Sequence, residues 1–137
     1  MIVKHLDHIN LSVLDLDRTI EWYGRVFDFK PVEKGLQDGV RWAVIRSGEA
    51  LLCLYEHPER LHLDRFQLGD QGLHGMAHFG LRITDEPEWL DIVEREKVPI
   101  LYDGVIPWPH SLAWYVKDPT GYEIEVALWN GDQIEFG

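Results

Sequence analysis

The stretch Ser-Leu-Ala-Trp-Tyr-Val-Lys-Asp-Pro-Thr-Gly-Tyr-Glu-Ile-Glu-Val, residues 111–126, joins two β-rich runs through Asp118-Pro119-Thr120-Gly121. Pro119 presets φ and Gly121 is free to take φ > 0, so the segment reads as strand, tight turn, strand. Beyond the turn the side chains alternate, with Tyr122, Ile124 and Val126 on one face and Glu123, Glu125 and Ala127 on the other. A central strand would point Glu125 into the domain. An edge strand would turn the same glutamates to water, and the hairpin alone fits both.

Upstream, residues 3–13 alternate as a strand, with Leu6, His8, Asn10 and Ser12 on one face and Ile9, Leu11 and Val13 on the other. Asp15 or Asp17 then caps a helix running to about residue 29. Residues 30–34, 40–46 and 50–55 read as three strands. After residues 56–75, where Pro58, Gly69 and Gly72 break any periodicity, residues 76–84 read as a strand and 85–96 as a helix. Residues 99–102, 111–117 and 122–129 read as three more strands. The order β-α-β-β-β therefore occurs twice, which predicts one α+β domain over 1–137, built of a module 1–56, a connection 57–75 and a module 76–137.

The repeat holds residue by residue. A shift of 70 places His8 on His78, Ile9 on Phe79, Leu11 on Leu81, Val13 on Ile83 and Asp15 on Asp85. A histidine thus opens each half at one strand position, and the last strand of the second half adds Glu125. Two imidazoles and a carboxylate form a metal constellation with open coordination positions, suited to Fe(II) or Mn(II) and able to hold Ni(II) or Zn(II). Each histidine taken alone reads equally as a hydrogen-bonded core residue.

With 137 residues and 45% hydrophobic content the chain can bury a core. The net charge of −11 repels a phosphate backbone, which excludes nucleic acid as a partner. No apolar run reaches membrane-spanning length and no signal peptide opens the chain, so no membrane partner and a cytoplasmic location are expected. A single cysteine, Cys53, rules out an internal disulfide. The six Trp either fill a core or line an aromatic pocket.

The motifs Leu-Asp-His-Ile-Asn-Leu-Ser-Val, Ala-His-Phe-Gly-Leu-Arg-Ile and Asp-Pro-Thr-Gly-Tyr-Glu-Ile-Glu-Val, in this order, resemble the vicinal oxygen chelate superfamily. That group includes glyoxalase I, extradiol dioxygenases, fosfomycin-modifying enzymes and bleomycin-binding proteins. The resemblance implies two βαβββ modules forming a U-shaped mixed sheet around a metal cup. It implies His8, His78 and Glu125 as metal ligands and a homodimer as the assembly.

Glyoxalase I resembles the chain in length but takes a fourth ligand, commonly Glu, from the last strand of the first half. Aligning the turns places that position at Leu52 or Cys53, neither a carboxylate. Glu56 lies about 13 Å farther along the strand. The dioxygenase pattern is closer, because it sets a tyrosine ten residues before the carboxylate, as Tyr115 stands to Glu125. Tyr115 reads either as a proton-handling phenol or as a core ring, and His110 either as an acid or base or as part of a loop. The leading expectation is a metal-dependent, extradiol-dioxygenase-like oxidoreductase acting on a small diol or enediol. The alternatives are a glyoxalase-type lyase or isomerase, a thiol transferase, or a non-catalytic bleomycin-resistance-like binding protein.

Overall fold

In the computed structural model residues 1–132, 135 and 136 are described, and the chain divides into two units, Met1–Leu61 and His62–Gly137. The division falls inside the expected connection 57–75. The tail of the expected second module at positions 133, 134 and 137 lies outside the described residues. The architecture is α+β, with one four-stranded mixed sheet per unit.

In the first unit, β1 (Ile9–Val13) leads to α1 (Leu16–Phe27), then to β2 (Lys30–Gln37), β3 (Val40–Ser47) and β4 (Ala50–Glu56), and the strands order as β1-β4-β3-β2. Asp15 caps α1 by accepting from the Arg18 amide, and Asp28 ends it in the left-handed conformation at φ 54°. Leu16, Thr19, Tyr23 and Val26 form the buried face of α1. Sequestering each large apolar side chain there contributes about 1.5–3 kcal/mol. Leu11, Val13, Ala43, Ile45, Leu52 and Leu54 supply the sheet's side of that core.

Two expectations shift here. The strand expected over 3–13 begins only at Ile9, because its parallel partner β4 starts at Ala50 and Ile9 already faces Leu52. Residues ahead of Asp7 therefore have no ladder to join, and Met1, Ile2, Val3 and Leu6 are exposed. The strand expected to stop at residue 34 instead runs to Gln37, and the hairpin closes on Asp38-Gly39, with φ of 51° and 81°. That two-residue turn matches the strand twist. Gly35 sits opposite Trp42, whose ring lies where a Cβ would stand.

The second unit opens with a short helix α2 (Arg65–Asp70), followed by β5 (Phe79–Ile83), α3 (Glu86–Glu96), β6 (Ile106–Trp108), β7 (Ser111–Lys117) and β8 (Glu123–Trp129). The strands order as β5-β8-β7-β6, the same topology as the first unit. Helix α2 was not expected. Its Asp64 and Gln67 close a reciprocal capping box. The strand expected at 99–102 does not form, since Tyr102, Asp103 and Gly104 all take positive φ, which turns the chain, and the edge strand is Ile106–Trp108 instead. Trp89 is the buried residue of α3 and meets Trp114 edge to face at 6.4 Å.

The turn of the opening stretch is held by one side chain. The buried Asp118 accepts, through Oδ1, the amides of Thr120, Gly121 and Tyr122 at 2.9–3.0 Å, and Gly121 takes φ 115°. That fixes Lys117 opposite Glu123 and hence the register of everything beyond.

Candidate metal centre

Strand β8 is central, between β5 and β7, so the edge-strand reading of Glu125 is excluded. Glu125 pairs with Gly80 on one side and Tyr115 on the other, and its side chain is 17% exposed. His78 stands just ahead of β5. Its Nε2 lies 3.0 Å from Glu125 Oε2. Two ligand bonds of about 2.1 Å meeting near a right angle span about 3 Å, so the spacing of this pair fits two donors to one divalent cation.

The Tyr115 ring meets the His78 ring edge to face, with centroids 5.6 Å apart. Burial, and then the neighbouring Glu125 charge, push the Tyr115 phenol above its ordinary range. The tyrosine therefore stays protonated at neutral pH and can donate a hydrogen bond beside the pair.

Below this pair lies a network that sequence reasoning did not single out. Glu123, two residues before Glu125 on the same face of β8, is almost fully buried and accepts from the Tyr102 hydroxyl at 2.7 Å. Arg65 Nη2 donates to the Tyr102 oxygen at 3.0 Å and lies 3.2 Å from Glu123 Oε1. The bond to Tyr102 and the Glu123 charge hold the Arg65 guanidinium above its usual range against the cost of burial. His78 Nδ1 lies 4.0 Å from Glu123 Oε1, and both atoms are buried without a hydrogen-bond partner. A cavity of about 10 Å³, room for one water molecule, opens beside His62, Asp64, Arg65, His78 and Glu123. The alternation that singled out Glu125 also contained Glu123, but no local pattern reached Arg65 or Tyr102.

In the first unit His8 precedes β1 as His78 precedes β5, and its Nδ1 meets Asp7 Oδ2 at 2.7 Å on the exposed surface. Asn10 pairs with Cys53 as Gly80 pairs with Glu125, so Cys53 is the counterpart of Glu125 and Val44 that of Tyr115. Glu56 has a different task, since its Oε2 accepts the Leu16 amide at 2.7 Å and lies 3.3 Å from Arg41 Nη1. It therefore caps the N-terminus of α1, where a carboxylate also suits the helix dipole. Within each unit taken by itself, the described residues include no cluster of three or more His, Cys, Asp or Glu side chains placed to hold an ion.

The second unit thus brings together His78, Glu125 and Tyr115. It does not bring His110 to them: that residue sits in the turn before β7, five residues from Tyr115 or roughly 16 Å along a strand, and faces Glu135 at 3.7 Å. His57 pairs with Glu59 at 3.2 Å, and the His62 ring rests on Tyr122 at 4.6 Å. Trp89 and Trp114 fill core, while Trp108 is exposed.

A family model described as the Glyoxalase/Bleomycin resistance protein/Dioxygenase superfamily matches residues 5–126. Among solved structures, a glyoxylase/bleomycin resistance protein/dioxygenase domain from Frankia sp. EAN1pec superposes with a TM-score of 0.76 at 18% identity, covering 96% of each chain. The fosfomycin resistance protein FosX from Listeria monocytogenes gives 0.71 at 16% identity, over 96% of this chain and 94% of its own. FosX has also been solved with Mn(II) and dihydroxypropylphosphonic acid. Lactoylglutathione lyase from Agrobacterium tumefaciens gives 0.65 at 25% identity, over 92% of this chain and 94% of its own.

Proposed function

Because the chain belongs to the glyoxalase/bleomycin resistance/dioxygenase superfamily, we propose that it is a divalent-metal enzyme of the extradiol-dioxygenase-like kind, acting on a small molecule with two adjacent oxygens. The observation that carries this reading is the His78–Glu125 pair at 3.0 Å with Tyr115 directly across the ladder from the carboxylate. His78 and Glu125 would hold the ion. When bound, the ion supplies Lewis acidity and, as Fe(II), reactivity toward dioxygen, with Mn(II) the next choice. Tyr115 donates its phenolic proton as a hydrogen bond to a substrate oxygen, and the low exposure of the Tyr115 and Glu125 side chains keeps competing water away. A cytoplasmic homodimer belongs to the same proposal; among the described residues no helix is long and apolar enough to cross a membrane.

Cys53, standing where a glyoxalase-type carboxylate would come from β4, weighs against the lyase reading. The burial of Trp89 and Trp114 in core weighs against a Trp-lined sequestering pocket. The test is anaerobic reconstitution with Fe(II), followed by oxygen uptake across a panel of catechols. Ring cleavage with one O2 molecule consumed per diol, both atoms entering the product, is expected; metal uptake without oxygen consumption on any member would remove the dioxygenase assignment.

A further inference from the structure

The unexplained feature of the second unit is a half-buried histidine flanked by two carboxylates and using only one of them. His78 Nε2 is at hydrogen-bond distance from Glu125 Oε2, whereas Nδ1 is buried without a partner. On that side stands Glu123 Oε1, 4.0 Å away and likewise without a hydrogen bond. Glu123 is itself anchored, since Tyr102 donates to its other oxygen at 2.7 Å and Arg65 stands 3.2 Å from Oε1. A 5% exposed carboxylate held this firmly beside an imidazole is costly unless its partners use it.

We propose that Glu123 is a positioning residue that selects the tautomer of His78. With the proton on Nδ1 and directed at Glu123, the Nε2 lone pair faces Glu125 and is available to a divalent cation. As the pair stands, Nε2 is within hydrogen-bond distance of Glu125 Oε2 and Nδ1 is the idle atom; a shift of about 1 Å brings Nδ1 and Glu123 Oε1 within hydrogen-bond range. A metal-ligating imidazole is oriented by what its second nitrogen meets, and a carboxylate there also raises the basicity of the ligating nitrogen. Tyr102 and Arg65 keep the buried Glu123 in place, which gives the Arg65–Tyr102–Glu123 chain a purpose beyond packing. This inference rests on the metal reading above for His78.

The experiment is Zn(II) titration of the whole protein labelled with ¹⁵N-histidine, with the His78 resonances identified by their loss in His78→Ala. In the loaded wild type, His78 is expected to carry its proton on Nδ1 in a strong hydrogen bond, with zinc on Nε2; zinc on Nδ1 overturns the proposal. Glu123→Gln is expected to weaken Zn(II) binding by about 10- to 100-fold and to shift the Nδ1 proton upfield. Unchanged affinity overturns the proposal, and so does weaker affinity with the Nδ1 proton unmoved, which would assign Glu123 a purely structural role. If Glu123→Gln does not fold, the wild-type spectrum decides alone. A wild type that takes up no zinc at all removes the metal reading itself, an outcome distinct from zinc bound through the wrong nitrogen.

Discussion

The two units share one topology and one register but not one chemistry. Asn10 faces Cys53 and Gly80 faces Glu125; Val44 faces Cys53 and Tyr115 faces Glu125. The pairing scheme has therefore been kept while the side chains it presents have diverged. The first unit offers a thiol that burial, and then the Asp7 charge, push above its ordinary range, next to an aliphatic residue. The second offers a carboxylate, an imidazole and a phenol within one neighbourhood. A fold of this kind is set by its ladders, and its activity by a few residues hung on them.

The helices differ in the same way, and that difference leads to the largest predicted effect. Thr19 and Trp89 occupy repeat-equivalent positions, both buried, but α1 shares its burial among four residues whereas α3 relies on Trp89. Trp89→Ala should cost about 3–5 kcal/mol by chemical denaturation. Thr19→Ala should cost about 1 kcal/mol, chiefly the hydrogen bond from its hydroxyl to the Asp15 carbonyl. Similar losses at both sites would break the contrast.

Next in size, His78→Ala should lower divalent-metal affinity by more than about 100-fold, exceeding what loss of an outer hydrogen-bond partner does, with the circular dichroism spectrum retained. Equal affinity in mutant and wild type, measured by isothermal titration calorimetry, would take the metal away from the second unit. Glu56→Ala sharpens the contrast from the other side. Because Glu56 caps α1, the variant should lose about 1 kcal/mol of stability and bind metal as the wild type does. Weaker metal binding would contradict the purely capping role of Glu56.

The smallest effect concerns α2, which has no counterpart in the first unit. Asp64 is held below the usual aspartate range, first by the Gln67 amide and also by the Lys117 charge and the Phe66 amide, against its desolvation. A depressed folded value means that the contribution is complete above the ordinary aspartate pKa and is lost as pH falls through the lower folded value. Amide-exchange protection of Phe66, Gln67 and Leu68 should accordingly drop in strong acid before that of β7. Protection that fades equally in both elements would contradict this.

Much of this was legible beforehand because it rests on short-range rules. The Asp118 to Gly121 turn, the Asp15 and Asp85 caps and the alternation along β8 each have a local signature, and from them follows the Tyr115–Glu125 pairing. The 70-residue shift was legible for the same reason, since parallel partners of β1 and β5 demand the same apolar pattern. What escaped was non-local or conformational. The apolar run 99–102 looks like a strand, and nothing in Tyr102 itself announces a positive φ. Arg65, Tyr102 and Glu123 are far apart in sequence and meet only when α2 and the turn after α3 are placed. The Asp64-Arg65-Phe66-Gln67 capping signal was present, but the glycines beyond it masked a helix of only six residues.

The most direct test of the metal reading is titration of the apo protein with Mn(II), followed by electron paramagnetic resonance of the free aquo ion. One ion per chain should be withdrawn from the free signal in the wild type, and far less at the same concentrations in Glu125→Gln. A free Mn(II) signal that stays proportional to added metal, with or without Glu125, would contradict the claim that His78 and Glu125 are placed to hold a cation.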